Sequence, residues 1–379
     1  MNVLHLISSE GFYGAENVVA SLAMTLRQMD HSVHVGVFVN EHCPRNNTIE
    51  EMRKLSLDVH PIQCEGRLDH RALCSIRGLL RDTKTQLLHT HVYKADIYGY
   101  LAAVGLSLPL ISTCHLWTRH SRLVRIYESL DSLVLRGFDK IVAVSDPIAQ
   151  QLRQTGIPVG KVVTIDNGID LSRFSASHLP QRAADASGPL VVGTVGRLVS
   201  QKGMDYFLGA ARQILDQKLN VLFKIVGDGP DRAGLERLAS RLGIADRVIF
   251  TGGRDDMPLI YPSFDIFVLA SVDEGLPMVV LEAMASGLPV VTTTVGALPK
   301  VVDSGVTGLL VPPRDATALA NAILSLLESA YVRQQMGILG KVAVQEYSSW
   351  RMTLKYLSVY EGLLTAAGAR DTDRAEVNA

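Results

Sequence analysis

The chain has 379 residues, 47% of them hydrophobic and 20% charged, a composition that excludes a disordered polymer and a length that suits two hydrophobic cores rather than one. A formal net charge of −1 gives no global attraction for nucleic acid, and none is expected as a partner. The four cysteines, Cys43, Cys64, Cys74 and Cys114, show neither CxxC nor metal-ligand spacing, which fits unpaired thiols in a reducing cytosol.

The chain opens on a strand-like run, Val3-Leu4-His5-Leu6-Ile7, with no basic leader before it, so no signal peptide is expected. No apolar run reaches the roughly 18 residues of a transmembrane helix. The expected location is cytoplasmic, with any membrane contact peripheral at the inner face. Strands are predicted at 3–9, 32–39, 87–91, 109–115, 140–145 and 161–166, with helical patterns such as 15–29 and 121–135 between them. Near-continuous apolar strands separated by helices imply a parallel sheet covered on both faces. Asn167-Gly168-Ile169-Asp170 is turn chemistry, and 172–188 is rich in Ser, Ala, Pro and Gly, which reads as a linker. The alternation restarts at 190–194 and continues at 221–226, 248–251, 266–270 and 290–293. A final helix is predicted at 352–364, after Tyr347-Ser348-Ser349-Trp350, and then a polar, frayed tail. The expected organisation is a doubly wound α/β domain over 1–170, a linker over 171–188, a second such domain over 189–345, a helical segment over 346–366 and a disordered tail over 367–379. Open parallel sheets bind ligands at the carboxyl ends of their strands, so two sheets whose ends face each other would share a cleft as the site.

Four segments carry candidate chemistry. The strongest runs from Leu269 to Val291 as strand, loop, helix, strand. Pro277 suits a first helical turn, Gly287 suits the left-handed position past a helix end, and the amides of Leu276, Met278 and Val279 would form an anion site. Glu274 lies in the loop before that helix and Glu282 about two turns along it. Carboxylates accept hydrogen bonds from sugar hydroxyls, so an anion site flanked by two of them fits a nucleotide-sugar; one loop Glu and one solvated helix Glu is the plain alternative. The second segment, Gly193-Thr194-Val195-Gly196-Arg197-Leu198-Val199-Ser200-Gln201-Lys202-Gly203, puts Arg197 and Lys202 in one strand-end loop, a fork and a mobile point charge for phosphate. The third, Ser8 to Glu16, places Gly14 before a helix but is no GxGxxG fingerprint, and no GxxxxGK[ST] occurs. The fourth ends a strand in His115. His89 and His91 alternate on another strand end, with no carboxylate or third ligand close in sequence, so no metal site is expected. Between Trp117 and Lys140, Arg119, His120, Arg122, Arg125 and Arg136 lie among apolar residues. A solvated charged face is the favoured reading there, and a basic amphipathic helix meeting anionic lipid or a lipid-linked acceptor is the other.

Together these segments resemble glycosyltransferase family 4, a group of retaining enzymes with the GT-B fold, over nearly the whole chain. The family's Glu-x7-Glu motif matches Glu274 to Glu282 in EGLPMVVLEAMASGLPVV; GRLVSQKG, VGDGP at 226–230, NGID at 167–170 and SFDIFVLAS at 263–271 follow the family too. The resemblance implies two Rossmann-like doubly wound domains facing across a cleft, with the last helix crossing back to the first. It implies that Arg197 and Lys202 hold a donor diphosphate and that Glu274 binds the transferred sugar. Amides from Gly275 through Val279, including Leu276, Pro277 and Met278, touch sugar and phosphate, and Glu282 binds the ribose. It places Gly14 near the phosphates, His115 beside the donor sugar, and Gly227, Asp228, Gly253 and Arg254 near the nucleoside. The family often has two adjacent glycines in the first loop, where this chain has Tyr13-Gly14. The implied reaction is hexosyl transfer from a nucleotide-sugar, UDP-sugars favoured, to a hydroxyl acceptor in cell-surface or extracellular polysaccharide or glycolipid assembly, with no metal or other cofactor. The alternatives are a nucleotide-sugar epimerase of the same fold and a non-catalytic sugar-nucleotide-binding scaffold. Intact phosphate-binding cations and carboxylates argue against the scaffold.

Overall fold

Strands such as Val3 to Ile7 and Val221 to Val226 are largely apolar on both faces, so they are stable only where helices cover both sides of the sheet. The computed structural model describes residues 1–9, 11–12, 14–39, 47–66, 69–115, 133–175, 188–217 and 219–377, with side chains up to 369. It divides into two units, Met1–Gly168 with Ser349–Ala379, and Ile169–Ser348.

The first unit holds a seven-stranded sheet of β1 (Asn2–Ser8), β2 (Ser32–Val39), β3 (Asp58–Gln63), β4 (Leu87–His91), β5 (Leu110–Cys114), β6 (Lys140–Ala143) and β7 (Val162–Thr164), in the order β3-β2-β1-β4-β5-β6-β7. Every pairing is parallel. One face buries Leu4, Leu6, Leu88 and Leu110 against Ile76, Leu80, Tyr98 and Ala102. The alternation of the strands turns His5, His89, His91 and Thr113 to the other face. Helix Ser349–Val377 meets that face with Tyr356 and Tyr360, both fully buried.

The second unit holds β8 (Leu190–Val195), β9 (Val221–Val226), β10 (Val248–Gly252), β11 (Ile266–Leu269), β12 (Val290–Thr293) and β13 (Gly308–Val311), all parallel, in the order β10-β9-β8-β11-β12-β13. Val192, Phe223, Ile225, Val268 and Val291 pack with Phe207, Leu208, Ile323 and Leu326 from the flanking helices. Each such side chain contributes about 1.5–3 kcal/mol on burial. In both sheets the strand order reverses beside the first strand, between β1 and β4 and between β8 and β11. That reversal opens a crevice at the strands' carboxyl ends.

Three differences from the sequence reading have physical causes. β3 carries Pro61 and alternates exposed with buried residues, as an edge strand can, because its outer amides need no partner. β13 is a four-residue edge strand with too little apolar sequence to stand out. The last helix runs to Val377, past the predicted end at 364 and through the stretch read as a disordered tail. Of the predicted linker, 171–175 forms a short helix and 176–187 lie outside the described residues, as does most of the predicted helix 121–135. Among the described residues no helix is long and apolar enough to cross a membrane, and Cys64, Cys74 and Cys114 are free thiols.

Candidate functional site

The loops that leave β8, β9 and β10 are tied together through their backbones. Gly196 N–H donates to Val226 O (3.0 Å), Leu198 N–H to Asp228 O (2.9 Å), Asp231 N–H to Leu198 O (3.1 Å) and Gly227 N–H to Gly252 O (2.9 Å). Gly227 has φ 141°, and a Cβ there would lie 1.9 Å from Gly196 O, so only glycine lets the two loops touch. This lattice holds the exposed Arg197 and Asp228 on neighbouring loops.

Lys202 ends a 3₁₀ turn, Ser200–Lys202, that is pinned to the β11 loop. Val272 N–H donates to Gln201 O (2.8 Å) and Gln201 Nε2 to Asp273 O (2.9 Å). The turn delivers Lys202 Nζ to 2.5 Å from Glu274 Oε1, and Ser271 Oγ donates to the same oxygen at 2.7 Å. The lysine and glutamate side chains are 19% and 8% exposed, so the pair is held away from most solvent at the switch point of the sheet. A lysine ammonium carries three donors and can keep one on Glu274 while offering another to an anion.

Helix Met278–Ala285 begins beside this pair. Its first amides, those of Met278 and Val279, have no carbonyl one turn earlier within the helix, and with the helix dipole they favour an anion. Pro277 stands at the N-cap in an extended conformation (φ −75°, ψ 119°), one position before the first turn where the sequence reading put it. Gly287 has φ 77° and its N–H closes on Met284 O, as expected past the helix end. Gly275, Leu276, Pro277 and Met278 are buried, so what they can offer a ligand is backbone. The loop after β12 backs them: Ala297 N–H donates to Gly275 O (2.9 Å), and a Cβ on Gly296 would fall 2.2 Å from Glu274 O.

Glu282 Oε2 accepts from the hydroxyl of Tyr261 at 2.6 Å, and Tyr261 is fully buried. Burial pushes the Glu282 carboxyl above the usual carboxylate range, while the Tyr261 hydrogen bond and the Arg173 charge pull it back. Gly253 and Arg254 are exposed after β10, and Arg254 Nε donates to Asp256 Oδ1 (2.8 Å). Asp256 stands at the N-cap of helix Met257–Ile260 but makes no side-chain cap to it, and serves as the partner of Arg254.

In the first unit, Gly14 is the exposed first residue of helix Gly14–Gln28, and Tyr13 lies outside the described residues. His115 follows β5. Its Nε2 is 3.2 Å from His91 Nδ1, and His91 Nε2 is 3.1 Å from His5 Nδ1. His89 Nδ1 lies 2.6 Å from the Tyr360 hydroxyl and its Nε2 2.7 Å from Thr113 Oγ1. Burial lowers His5 to about 3 and His115 to about 4, and holds His89 and His91 well below the usual range, so all four are neutral near pH 7. Nitrogens of His5, His89 and His91 lie within 4.8 Å of one another, so the third imidazole that the sequence around His89 and His91 lacks comes from β1. Both nitrogens of His89 lie within hydrogen-bond distance of hydroxyls. Arg119, His120, Arg122 and Arg125 lie outside the described residues, and Arg136 Nη2 donates to Thr155 O (3.1 Å).

The structure therefore joins Lys202, Glu274 and the start of helix Met278–Ala285, links Glu282 to Tyr261, and sets Arg197, Gly227 and Asp228 on adjoining loops. Sequence reasoning missed Tyr261, Ser271, Gln201, Gly296 and His5. Of these only His5 carried a signal, a histidine inside a run of aliphatic strand residues.

The family model described as Glycosyltransferase Family 4 matches residues 12–173, and that described as Glycosyl transferases group 1 matches 189–329. A putative colanic acid biosynthesis glycosyltransferase, WcaL of Escherichia coli K12, is 32% identical over 301 residues, covering 68% of this chain and 72% of its own. The UDP-Gal:alpha-D-GlcNAc-diphosphoundecaprenol alpha-1,3-galactosyltransferase of Escherichia coli is 27% identical over 274 residues, 69% of this chain and 71% of its own. Among solved structures, Anabaena HepE in complex with UDP and glucose superposes with a TM-score of 0.85 at 21% identity, over 96% of this chain and 100% of its own.

Proposed function

We propose, from the premise that this chain belongs to glycosyltransferase family 4 and is a glycosyltransferase, that it moves a hexosyl group from a nucleotide-diphosphate sugar to a hydroxyl with retention at the anomeric carbon. The observation that carries this reading is the Lys202–Glu274 pair beside the open amides of Met278 and Val279. A cation and a helix start meet the diphosphate, and a carboxylate next to them takes a sugar hydroxyl. Arg197, on the loop stitched to β9, is the second cation, and Glu282 with Tyr261 receives the ribose. In the reaction the bond from the anomeric carbon to the leaving phosphate oxygen breaks, and a bond to the acceptor oxygen forms on the same face. The acceptor proton passes to the departing phosphate oxygen. Lys202 and Arg197 stabilise the growing charge, the part that a metal ion plays at other sites.

A UDP-sugar is the favoured donor, supported by the UDP held in HepE and the UDP-Gal named for the galactosyltransferase. That enzyme's diphosphoundecaprenol acceptor and the colanic acid biosynthesis for which WcaL is named support a lipid-linked acceptor at the inner membrane face, in surface polysaccharide assembly. The test is thermal stabilisation by UDP, GDP and ADP and their sugars, in the wild type and Glu282→Ala, followed by transfer assays with EDTA present. A shift with UDP compounds that Glu282→Ala weakens, and transfer that survives EDTA, are expected. No shift with any nucleotide at high concentration would overturn the reading.

A further inference from the structure

The face of the first sheet that carries His5, His89 and His91 is the interior of a folded unit, where a hydrocarbon ring would leave no polar atom unpaired. His5 instead leaves one. Its Nε2 is buried with no hydrogen-bond partner among the described residues, while its Nδ1 is 3.1 Å from His91 Nε2. His91 passes the contact on, with its Nδ1 3.2 Å from His115 Nε2. His89 stands aside from this line, held by Tyr360 and Thr113.

A neutral imidazole has one N–H and one lone pair, so each contact in the line needs a donor facing an acceptor, and the choice at one ring dictates the next. If the His5 proton sat on Nε2 it would be an orphan buried N–H, the rarer of the two defects. With the proton on Nδ1, His5 donates to His91 Nε2. His91 must then carry its own proton on Nδ1 and donate to His115 Nε2, which leaves the His115 proton on Nδ1. We infer that His5, His91 and His115 form a one-way relay that fixes His115 as its Nδ1–H tautomer, so that it meets substrate as a hydrogen-bond donor through Nδ1. The role of His115 toward substrate rests on the transferase reading above; the tautomer does not. The ligand chemistry follows: a hydroxyl or phosphate oxygen that accepts, and never a group that must donate to His115. The low proton affinity that burial gives all three rings keeps the relay neutral.

Two-bond proton–nitrogen correlation spectra of the substrate-free, nitrogen-15 histidine-labelled protein near neutral pH test the relay. His5, His91 and His115 are expected to show a protonated Nδ1 and a bare Nε2, against the Nε2–H form that histidine side chains favour in water. In His91→Phe, which removes the donor to His115, the released His115 is expected to revert to Nε2–H. Its transfer kcat/KM is expected to fall about tenfold, the size of one misdirected hydrogen bond. A protonated Nε2 on His115 in the wild type, or no change in His91→Phe, would overturn the relay. A changed tautomer with unchanged kcat/KM would overturn the part His115 is given toward substrate. If the variant does not fold, the wild-type spectrum still decides. Absence of transfer in the wild type would count against the functional reading alone.

Discussion

A carboxyl drawn into the interior tends to hold its proton, and Glu282 stays an acceptor because Tyr261 donates to it at 2.6 Å. Tyr261→Phe removes that donor and leaves burial to raise the Glu282 carboxyl further. The protonated fraction then grows as pH falls, so nucleotide affinity in the variant should be weaker than wild type at pH 6 and recover toward it at pH 8. Calorimetric titration with UDP at the two pH values checks this; equal ratios at both would show that Tyr261 does not act through the charge of Glu282. Unfolding free energy should drop by about 1.5–3 kcal/mol, as for a hydrogen bond to a charged group. None of this was legible in the chain order, because Tyr261 and Glu282 are joined only once β11 and helix Met278–Ala285 pack. The glutamates themselves were legible, since glycine and proline punctuate the segment around them.

At the scale of elements, the loop after β12 acts as the floor of the Glu274–Gly275 loop. Gly296 has φ 56°, and any side chain there would be driven into the carbonyls of Glu274 and Gly275. Gly296→Val should therefore shift Glu274 away from Lys202 and cut kcat/KM by about a hundredfold, while the melting temperature falls by only a few degrees, about what 1–3 kcal/mol implies. Near-wild-type kinetics would mean that the floor does not set the position of Glu274. The elements themselves were largely readable, because long apolar strands alternate with helices. β3 and β13 escaped because an edge strand needs neither full apolarity nor length. The last helix outran its prediction because its polar later turns give no core-facing signal.

For the molecule as a whole, acid should strike the two units unequally. Folded His5, His89 and His91 resist protonation, whereas in the unfolded chain each titrates near pH 6.5. Below that value the unfolded state binds more protons, so the stability these groups contribute is complete above about pH 6.5 and declines as pH falls below it. Well below pH 6.5 the three together remove about 4 kcal/mol per pH unit. Residues 169–348 contain one histidine, His178. Scanning calorimetry from pH 8 to pH 5 should show the transition of the first unit moving down steeply while that of the second moves little; two transitions falling in parallel would contradict it.

The final helix gives the first unit a peculiar history. Residues 1–168 leave the ribosome before 169–348, but Tyr356 and Tyr360, which cap His89 and Thr113, are made only after the whole of 169–348. The second unit is an unbroken stretch and can close on itself at once. The first must wait, its imidazoles open to water, until helix Ser349–Val377 is made and supplies its lid. The half of the chain that is born first is therefore the half that is finished last.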